Sequence, residues 1–478
     1  MPRLTVGFDL DLTLIDSRPG IAATLDALAA ETGTVIDSAA AVTRLGPPLA
    51  EELARWYPAA DVEPMADRFR ALYPDLAIGV STALPGAHEA LAVVRAHEGR
   101  SIVVTAKYAP NARMHLEHLG LDVDEVIGWR HGAEKGQALA EHGATVYVGD
   151  HVADIAGARA AGAVAVAVAT GPISAADLAA SDADAVLDSL LDFPAWLDRY
   201  VLDARLADLQ RQMRSLDSVV VAFSGGADSA FLLAAAVRAL GPDRVLAATA
   251  VSGSLPASEL AGAAEFAADL GVEHVTPQTR EIERDGYRAN AGNRCYFCKS
   301  ELLDVLVPLA AARGFAAVAT GTNADDARSD FRPGIRAAAE RGAVTPLRAA
   351  GLTKAQVRAA SREWGLRTWD KPAAACLSSR IAYGLEISPA RLARVEHAEA
   401  ALRSVLAAAR IPVRDLRVRD VGDLARVEVD LEHVPAVAAC APALDAVRAA
   451  GFAEVEVDPR GFRSGSMNDA LGSSITPA

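Results

Sequence analysis

The sequence predicts an α/β protein: two doubly wound parallel-sheet domains followed by a small α+β unit. Short apolar runs of strand length recur through most of the chain. Helical stretches separate them, and that alternation builds a parallel sheet covered on both faces. From about Ser388 the order changes to helix, two strands, helix, strand.

In order, LTVGFD (4–9), SIVVTA (101–106), TVYVGD (145–150) and VAVAVAT (164–170) read as buried parallel strands. The segment from Arg18 to about Thr82 interrupts them with helical patterns such as IAATLDALAAETG. It is expected to sit over the carboxyl edge of the sheet as an insertion, about 17–84, within a first domain of 1–195. A polar helix without Gly or Pro follows, with residues 196–217 as the connection. SVVVAF (218–223), VLAATAV (245–251) and AAVATG (316–321) are the strands of a second domain, 218–387, and ADSAFLLAAAVRAL is its first helix. Residues 388–478 form the last unit. In it PARLARVEHAEAALRSVLAAA and VPAVAACAPALDAVRAA are helices, DLRVRDV, LARVEVDL and FAEVEVD are strands, and 464–478 is a tail.

The chain has 478 residues, 51% of them apolar and only 5% aromatic, so the cores should be built from Ala, Val and Leu. A net charge of −15 argues against a broad surface tracking nucleic-acid phosphates. No start resembling a signal peptide and no run of about 18 apolar residues is found, so the expectation is a cytoplasmic protein outside membranes. Four cysteines do not make a disulfide framework. Cys440, in an apolar run, reads as a buried helix residue.

Asp9 and Asp11 end the first strand. Residues i and i+2 of a strand face one side, so both carboxylates converge at the carboxyl edge where open α/β sheets bind ligands. Later segments deliver Thr105, Lys135, Asp150 and Asp154. Acids gathered near an incoming phosphate suit magnesium-assisted phosphoryl transfer.

These motifs in this order resemble the haloacid dehalogenase-type phosphatases with a helical cap. The resemblance implies Asp9 as the nucleophile and Asp11 as the general acid/base. It implies Thr105 and Lys135 as holders of the phosphoryl oxygens, and Asp150 with Asp9 and the carbonyl of Asp11 as magnesium ligands. Asp154 would support the metal site. Leu12 stands where that family usually has a small Gly. The alternative is a degenerate domain kept for assembly.

In the second domain, Ser224-Gly225-Gly226-Ala227-Asp228-Ser229 joins a buried strand to a helix. Two glycines admit phosphate oxygens to the backbone, the helix start offers free N–H groups, and Ser224 and Ser229 add hydroxyls. Asp228 can reach magnesium or a backbone donor. Without GxxxxGK[ST] this is not a Walker loop, and it brings no Lys of its own. The string resembles the ATP-pyrophosphatase loop of enzymes that adenylate a substrate.

Cys295 and Cys298 form a C-x-x-C in NRCYFCKSEL, and Cys376 lies in KPAAACLSSR. Three thiolates could form one cup, with Lys299 and Arg380 positioned to lower a thiol pKa. Zinc would need a fourth ligand, and none is obvious nearby. With VAFSGGADS, TGTNADD, LRVRDVGDLARVEV and GFRSGSMN, these strings resemble the LarE family of ATP-dependent sulfur transferases over roughly residues 200–470. The resemblance implies adenylation of a carboxylate on a pyridinium dicarboxylate mononucleotide, and its conversion to a thiocarboxylate in nickel-pincer cofactor synthesis. It implies Cys376 as the sulfur-handling residue. In single-cysteine relatives that residue gives up its own sulfur; the three-cysteine pattern implies a [4Fe-4S] cluster on Cys295, Cys298 and Cys376.

Arg417, Arg419 and Glu428 match the family's nucleotide-site strings and would hold the substrate phosphate. Read alone, the two arginines are either ligands or solvated charges on one strand face. Asn323, Asp326, Ser379, Arg380 and Arg463 are further candidates. The expected cofactors are ATP, magnesium and the cluster. The expected partners are a small pyridinium nucleotide and further copies of the chain, with neither nucleic acid nor membrane. The alternatives are a tRNA thiolase on the same loop chemistry, and an iron–sulfur scaffold with an inactive phosphatase domain.

Overall fold

The structure, a computed structural model, describes residues 3–45, 48–328, 333–372 and 376–463. The expected tail, with most of GFRSGSMN, lies outside the described residues. The chain divides into two compact units, Met1–Asp203 and Ala204–Ala478. The helix Phe193–Ser215 runs through the division. Phe193, Leu197 and Val201 belong to the first unit's core, and Arg205 bonds to Gln356 of the second (2.6 Å). Among the described residues, no helix is long and apolar enough to cross a membrane.

The first unit holds a six-stranded parallel sheet. Its strands are β1 (Thr5–Phe8), β2 (Arg100–Val104), β3 (Glu125–Ile127), β4 (Val146–Gly149), β5 (Val164–Val168) and β6 (Ala185–Leu187). Their spatial order is β3-β2-β1-β4-β5-β6. Val6 faces Ser101 on one side and Val146 on the other. The direction of winding therefore reverses beside β1, and the crevice at that point is where such sheets bind ligands. β3 and β6 were not expected from the sequence: each is three residues long and half-buried at a sheet edge.

The expected insertion is helical: Arg18–Thr32, Ser38–Val42, Leu49–Leu53 and Val62–Ala77. A two-residue antiparallel pair closes its stem, with Ile15 opposite Ala83. Leu25, Leu28, Leu53, Phe69 and Tyr73 give it a core of its own, so it folds as a cap.

The second unit repeats the scheme with four parallel strands, β7 (Val219–Ala222), β8 (Val245–Ala248), β9 (Glu273–Val275) and β10 (Ala317–Thr320). Their order is β9-β8-β7-β10, so the reversal falls beside β7. The C-terminal sheet has β11 (Leu416–Asp420) antiparallel to β12 (Leu424–Val429), and β13 (Glu454–Val457) parallel to β12.

One expected helix is two. Val434–Ala438 stops, and Ala441–Ala449 restarts with Pro442 in its first turn and Cys440 as its N-cap. Proline has no N–H to continue a helix but suits a first turn. Cys440 is accordingly half-buried at the break, which corrects its reading as a buried helix residue.

The helix Pro389–Ala408 is fastened to β11 by Asp420, which is fully buried and takes Arg391 at 2.7 Å and Arg394 at 2.5 Å. Removing the carboxylate strands two guanidiniums that retain some access to water. Asp420→Ala should therefore cost about 3 kcal/mol, read as a lower urea midpoint for the second unit. An unchanged midpoint would show that the pairs add nothing.

Candidate active sites

At the first reversal, β1 delivers Asp9 and β4 delivers Asp150. Asp9, Asp150 and Asp154 are all buried, with one oxygen of each within 4.8 Å of the others. Lys135, buried at the start of the helix Ala133–Glu141, reaches Asp154 Oδ1 at 2.6 Å and Asp9 Oδ1 at 3.1 Å. The Asp9 contact lacks hydrogen-bond geometry, and that oxygen has no hydrogen-bond partner. Burial pushes the Asp9 carboxyl up to about 7 against the pull of Lys135. Burial likewise pushes Asp150 well up, with Asp154 and Asp9 adding repulsion, although Thr13 donates to it at 3.1 Å. Three crowded buried acids and an orphaned oxygen fit a divalent cation.

Asp154 has a different task. Its Oδ1 accepts from Lys135, its Oδ2 accepts from the His151 amide (3.1 Å), and it completes the capping box of the helix Val152–Ala160. It holds Lys135 and the loop in place. Thr105 is buried at the end of β2 and lines the same cavity.

Leu12 has φ 59°, the left-handed region. That explains the usual Gly: the conformation costs an L-residue roughly 1–2 kcal/mol. Here the Leu12 side chain is buried, which offsets the strain.

At this site the sequence did not point to Lys107. Lys107 Nζ sits 3.0 Å from Asp11 Oδ1 and donates to the Tyr73 hydroxyl (2.7 Å), which meets His115 Nε2 at 3.0 Å. Ser17 also donates to Asp11. Burial works to lower the pKa of Lys107, but Asp11 and Tyr73 outweigh it and raise it. Burial, and then Lys107, push His115 down to about 4, so it is neutral near pH 7. The signal in the sequence was a Lys two residues after Thr105. Its partner Tyr73 lies in the cap, 34 residues earlier, and no local signal pairs the two.

At the second reversal, Gly225 has φ +70° and Gly226 caps the helix Ala227–Leu240. Ser229 Oγ lies 3.1 Å from Ser224 Oγ and donates to the Gly226 carbonyl at 3.1 Å. The loop is thus closed on itself before any ligand arrives. Burial raises the Asp228 carboxyl, and its Oδ1 has no hydrogen-bond partner. Asn323 and Asp326 exchange backbone–side-chain bonds in the loop after β10 (3.1 and 3.2 Å).

The cavity over this loop is about 400 Å³, and Lys299, Lys354, Arg358 and Lys371 line it. The cations that the loop itself does not carry therefore come from three other segments. Lys371 also donates to the Gly225 carbonyl (2.9 Å) and pairs with Glu259 (2.7 Å).

Cys295 and Cys298 occupy the first turn of the helix Arg294–Ala312, and Cys376 caps the short 3₁₀ turn Leu377–Arg380. Cys298 feels the charges of both other cysteines and of Glu281. Burial and then Cys376 raise its thiol pKa, and Lys299 opposes this only weakly. The expectation that Lys299 would make a low-pKa thiol is therefore corrected: Lys299 lines the phosphate cavity, and burial lowers its own pKa. Arg380 is turned to Glu399 (3.0 Å) and to the Cys376 carbonyl (2.9 Å). Tetrahedral zinc at about 2.3 Å would draw the sulfurs to about 3.8 Å of each other. Among the described residues these three do not gather within 4.8 Å.

Arg417, Arg419 and Glu428 are buried, which removes the reading of solvated strand charges. Glu428 takes Arg419 by Nη2 at 2.7 Å and Nε at 3.0 Å. Arg419 also donates to the Ser379 carbonyl (3.2 Å), tying this sheet to the Cys376 segment. Burial, and then Arg380, hold Arg417 below its usual pKa.

Comparison with known proteins agrees with this division. Residues 6–159 match the family described as haloacid dehalogenase-like hydrolase, and residues 204–291 the family described as NAD synthase. A Synechocystis protein of uncharacterised function is 42% identical over 274 residues, 57% of this chain and 99% of its own. The pyridinium-3,5-bisthiocarboxylic acid mononucleotide synthase of Lactiplantibacillus plantarum is 34% identical over 271 residues, 56% of this chain and 96% of its own. A solved haloacid dehalogenase-like hydrolase from Streptococcus pneumoniae covers 41% of this chain and 98% of its own, at 23% identity and a TM-score of 0.38.

Gly321 tests the geometry of the loop. A Cβ there would stand 2.9 Å from the Ser229 amide nitrogen. Gly321→Ala should raise the KM for ATP roughly tenfold, about 1.4 kcal/mol and within the usual cost of overpacking. An unchanged KM would mean that the end of β10 does not set the loop.

Proposed function

This chain belongs to the LarE family of ATP-dependent sulfur transferases and carries a haloacid dehalogenase-like hydrolase domain ahead of that part; from that premise we propose an ATP-driven conversion of a carboxylate on a pyridinium dicarboxylate mononucleotide to a thiocarboxylate. One observation carries the proposal. Arg294, which opens the helix Arg294–Ala312, donates to the Ser378 carbonyl two residues after Cys376 (2.9 Å), and Lys299 of the same helix lines the phosphate cavity. Adenylation and sulfur delivery thus share a helix end.

In this reading the Gly225–Gly226 turn and the start of the following helix bind the ATP phosphates. The substrate carboxylate attacks the α-phosphorus and pyrophosphate leaves, its charge met by Lys299, Lys354, Arg358 and Lys371. Buried Asp228 is placed to hold the magnesium that accompanies ATP. Sulfur then attacks the acyl carbon and AMP departs. Arg417, with Arg419 held by Glu428, takes the substrate phosphate, and an anion there relieves the desolvation of Arg417. Cys295, Cys298 and Cys376 would hold a [4Fe-4S] cluster, which supplies a place to carry an extra sulfide. The family reading also includes assembly into a homo-oligomer.

In the hydrolase domain, Asp9 attacks the phosphorus of a phosphomonoester and Asp11 protonates the departing oxygen. Water then cleaves the aspartyl-phosphate, with Asp11 taking its proton. Thr105 and Lys135 hold the phosphoryl oxygens. Asp9, Asp150 and the Asp11 carbonyl would hold magnesium, which neutralises phosphate charge.

Three measurements check these assignments. With ATP and the pyridinium nucleotide, wild-type protein should release pyrophosphate, and Asp228→Ala should reduce this to background. AMP formation with tRNA and not with the nucleotide would favour a tRNA thiolase. Anaerobically prepared protein should contain iron and sulfide and show a broad visible absorbance that Cys295→Ala removes; no iron or sulfide after reconstitution contradicts the cluster. Asp9→Asn should lower magnesium-dependent phosphoester hydrolysis by several orders of magnitude, and unchanged hydrolysis would refute that nucleophile.

A further inference from the structure

The cavity over Asp9 has a volume of about 480 Å³, within the range that holds drug-sized ligands. A two-carbon leaving group would fill little of it. On its cap side Leu25, Leu49 and Phe69 line it beside Arg44, Glu52, Glu63 and Arg70. The two cap arginines that face it are already paired: Arg44 with Glu52 (2.5 Å), and Arg70 with Asp67 (2.7 Å) and Glu63 (3.2 Å). The cap therefore offers surface for an uncharged, apolar group more readily than for a second anion.

Two aromatic rings complete the lining. Tyr108 and Trp129 follow β2 and β3, with centroids 5.1 Å apart and planes at 35°. Trp129 is 55% exposed and Tyr108 37%, although both line the cavity. Among the described aromatics only Trp369 is comparably exposed, and it does not line this cavity. Trp129 also has φ 56°, left-handed and costly for a bulky residue. Strain of this kind persists where the surroundings impose it, and such places cluster at ligand sites. Here the backbone is imposed by two bonds, from the Trp129 amide to the Lys107 carbonyl (3.0 Å) and from the Arg130 amide to the Thr105 carbonyl (2.9 Å). The strained turn is thus fastened to the segment that carries Thr105 and Lys107.

We propose that the hydrolase domain acts on phosphomonoesters whose alcohol carries a flat aromatic ring, of nucleoside-monophosphate size, with the ring laid against Trp129 and Tyr108 while the phosphate meets Asp9. The inference rests on the hydrolase reading above and adds its substrate class. Stacking on an aromatic side chain discriminates by the presence of a π face, which phosphoglycolate and glycerol phosphate lack.

The test uses the full chain in magnesium with uridine 5′-monophosphate, glycerol 3-phosphate and phosphoglycolate, all phosphate esters of primary alcohols. The nucleotide should have the highest kcat/KM. Trp129→Ala should lower that value about tenfold, chiefly through KM, and leave glycerol phosphate within about twofold. Trp129→Phe should recover most of the loss, and Tyr108→Ala should act in the same direction. Equal or better turnover of the small esters, or equal loss on all three in Trp129→Ala, overturns the substrate class and leaves the hydrolase reading standing. No turnover of any ester overturns both.

Discussion

Charge buried at the carboxyl ends of parallel strands has to be answered locally, and both sites of this chain are arranged around that constraint. Each sheet reverses its winding beside its first strand, so two neighbouring loops part and leave a crevice. In the first unit the crevice collects Asp9, Asp150 and Asp154, and Lys135 answers part of their charge. In the second it collects backbone N–H groups, four basic side chains and the buried Asp228. In the proposed function the first receives a cation with a phosphate, the second a polyphosphate.

Supporting contacts make each crevice rigid before a ligand enters. Asp154 caps a helix while it holds Lys135. Ser229 closes its own loop, and Gly321 lets β10 lie against it without a side chain between them. In the C-terminal sheet, Glu428 holds Arg419, which reaches back to the Ser379 carbonyl beside Cys376. The buried arginine of that sheet and the Cys376 segment are thereby linked within one unit.

Much of this was legible in the sequence, because apolar runs and Gly-rich turns are local signals. β1, β7 and the helix Ala227–Leu240 follow from their own residues. The edge strands β3, β6 and β9 did not show, since each is short and gains its pairing only from a neighbour. The same limit applies to the sites. Asp9, Asp11, Asp150 and the Ser224–Ser229 loop stand on strand ends and could be named in advance. Lys107 acts through Asp11 and Tyr73, distant in the chain, and Lys299 lines the second cavity where sequence proximity suggested a thiol. The break at Cys440 turned on Pro442, which was visible and went unused.

In the proposed function the origin of the sulfur is decisive, because the three cysteines distinguish it from adenylation alone. Intact-protein mass spectrometry after a defined number of turnovers measures this directly. If the three cysteines hold a cluster that passes on sulfide, Cys376 keeps its mass while product exceeds protein in amount. Product capped at one sulfur per chain, with Cys376 lighter by the elements of hydrogen sulfide, would contradict the account.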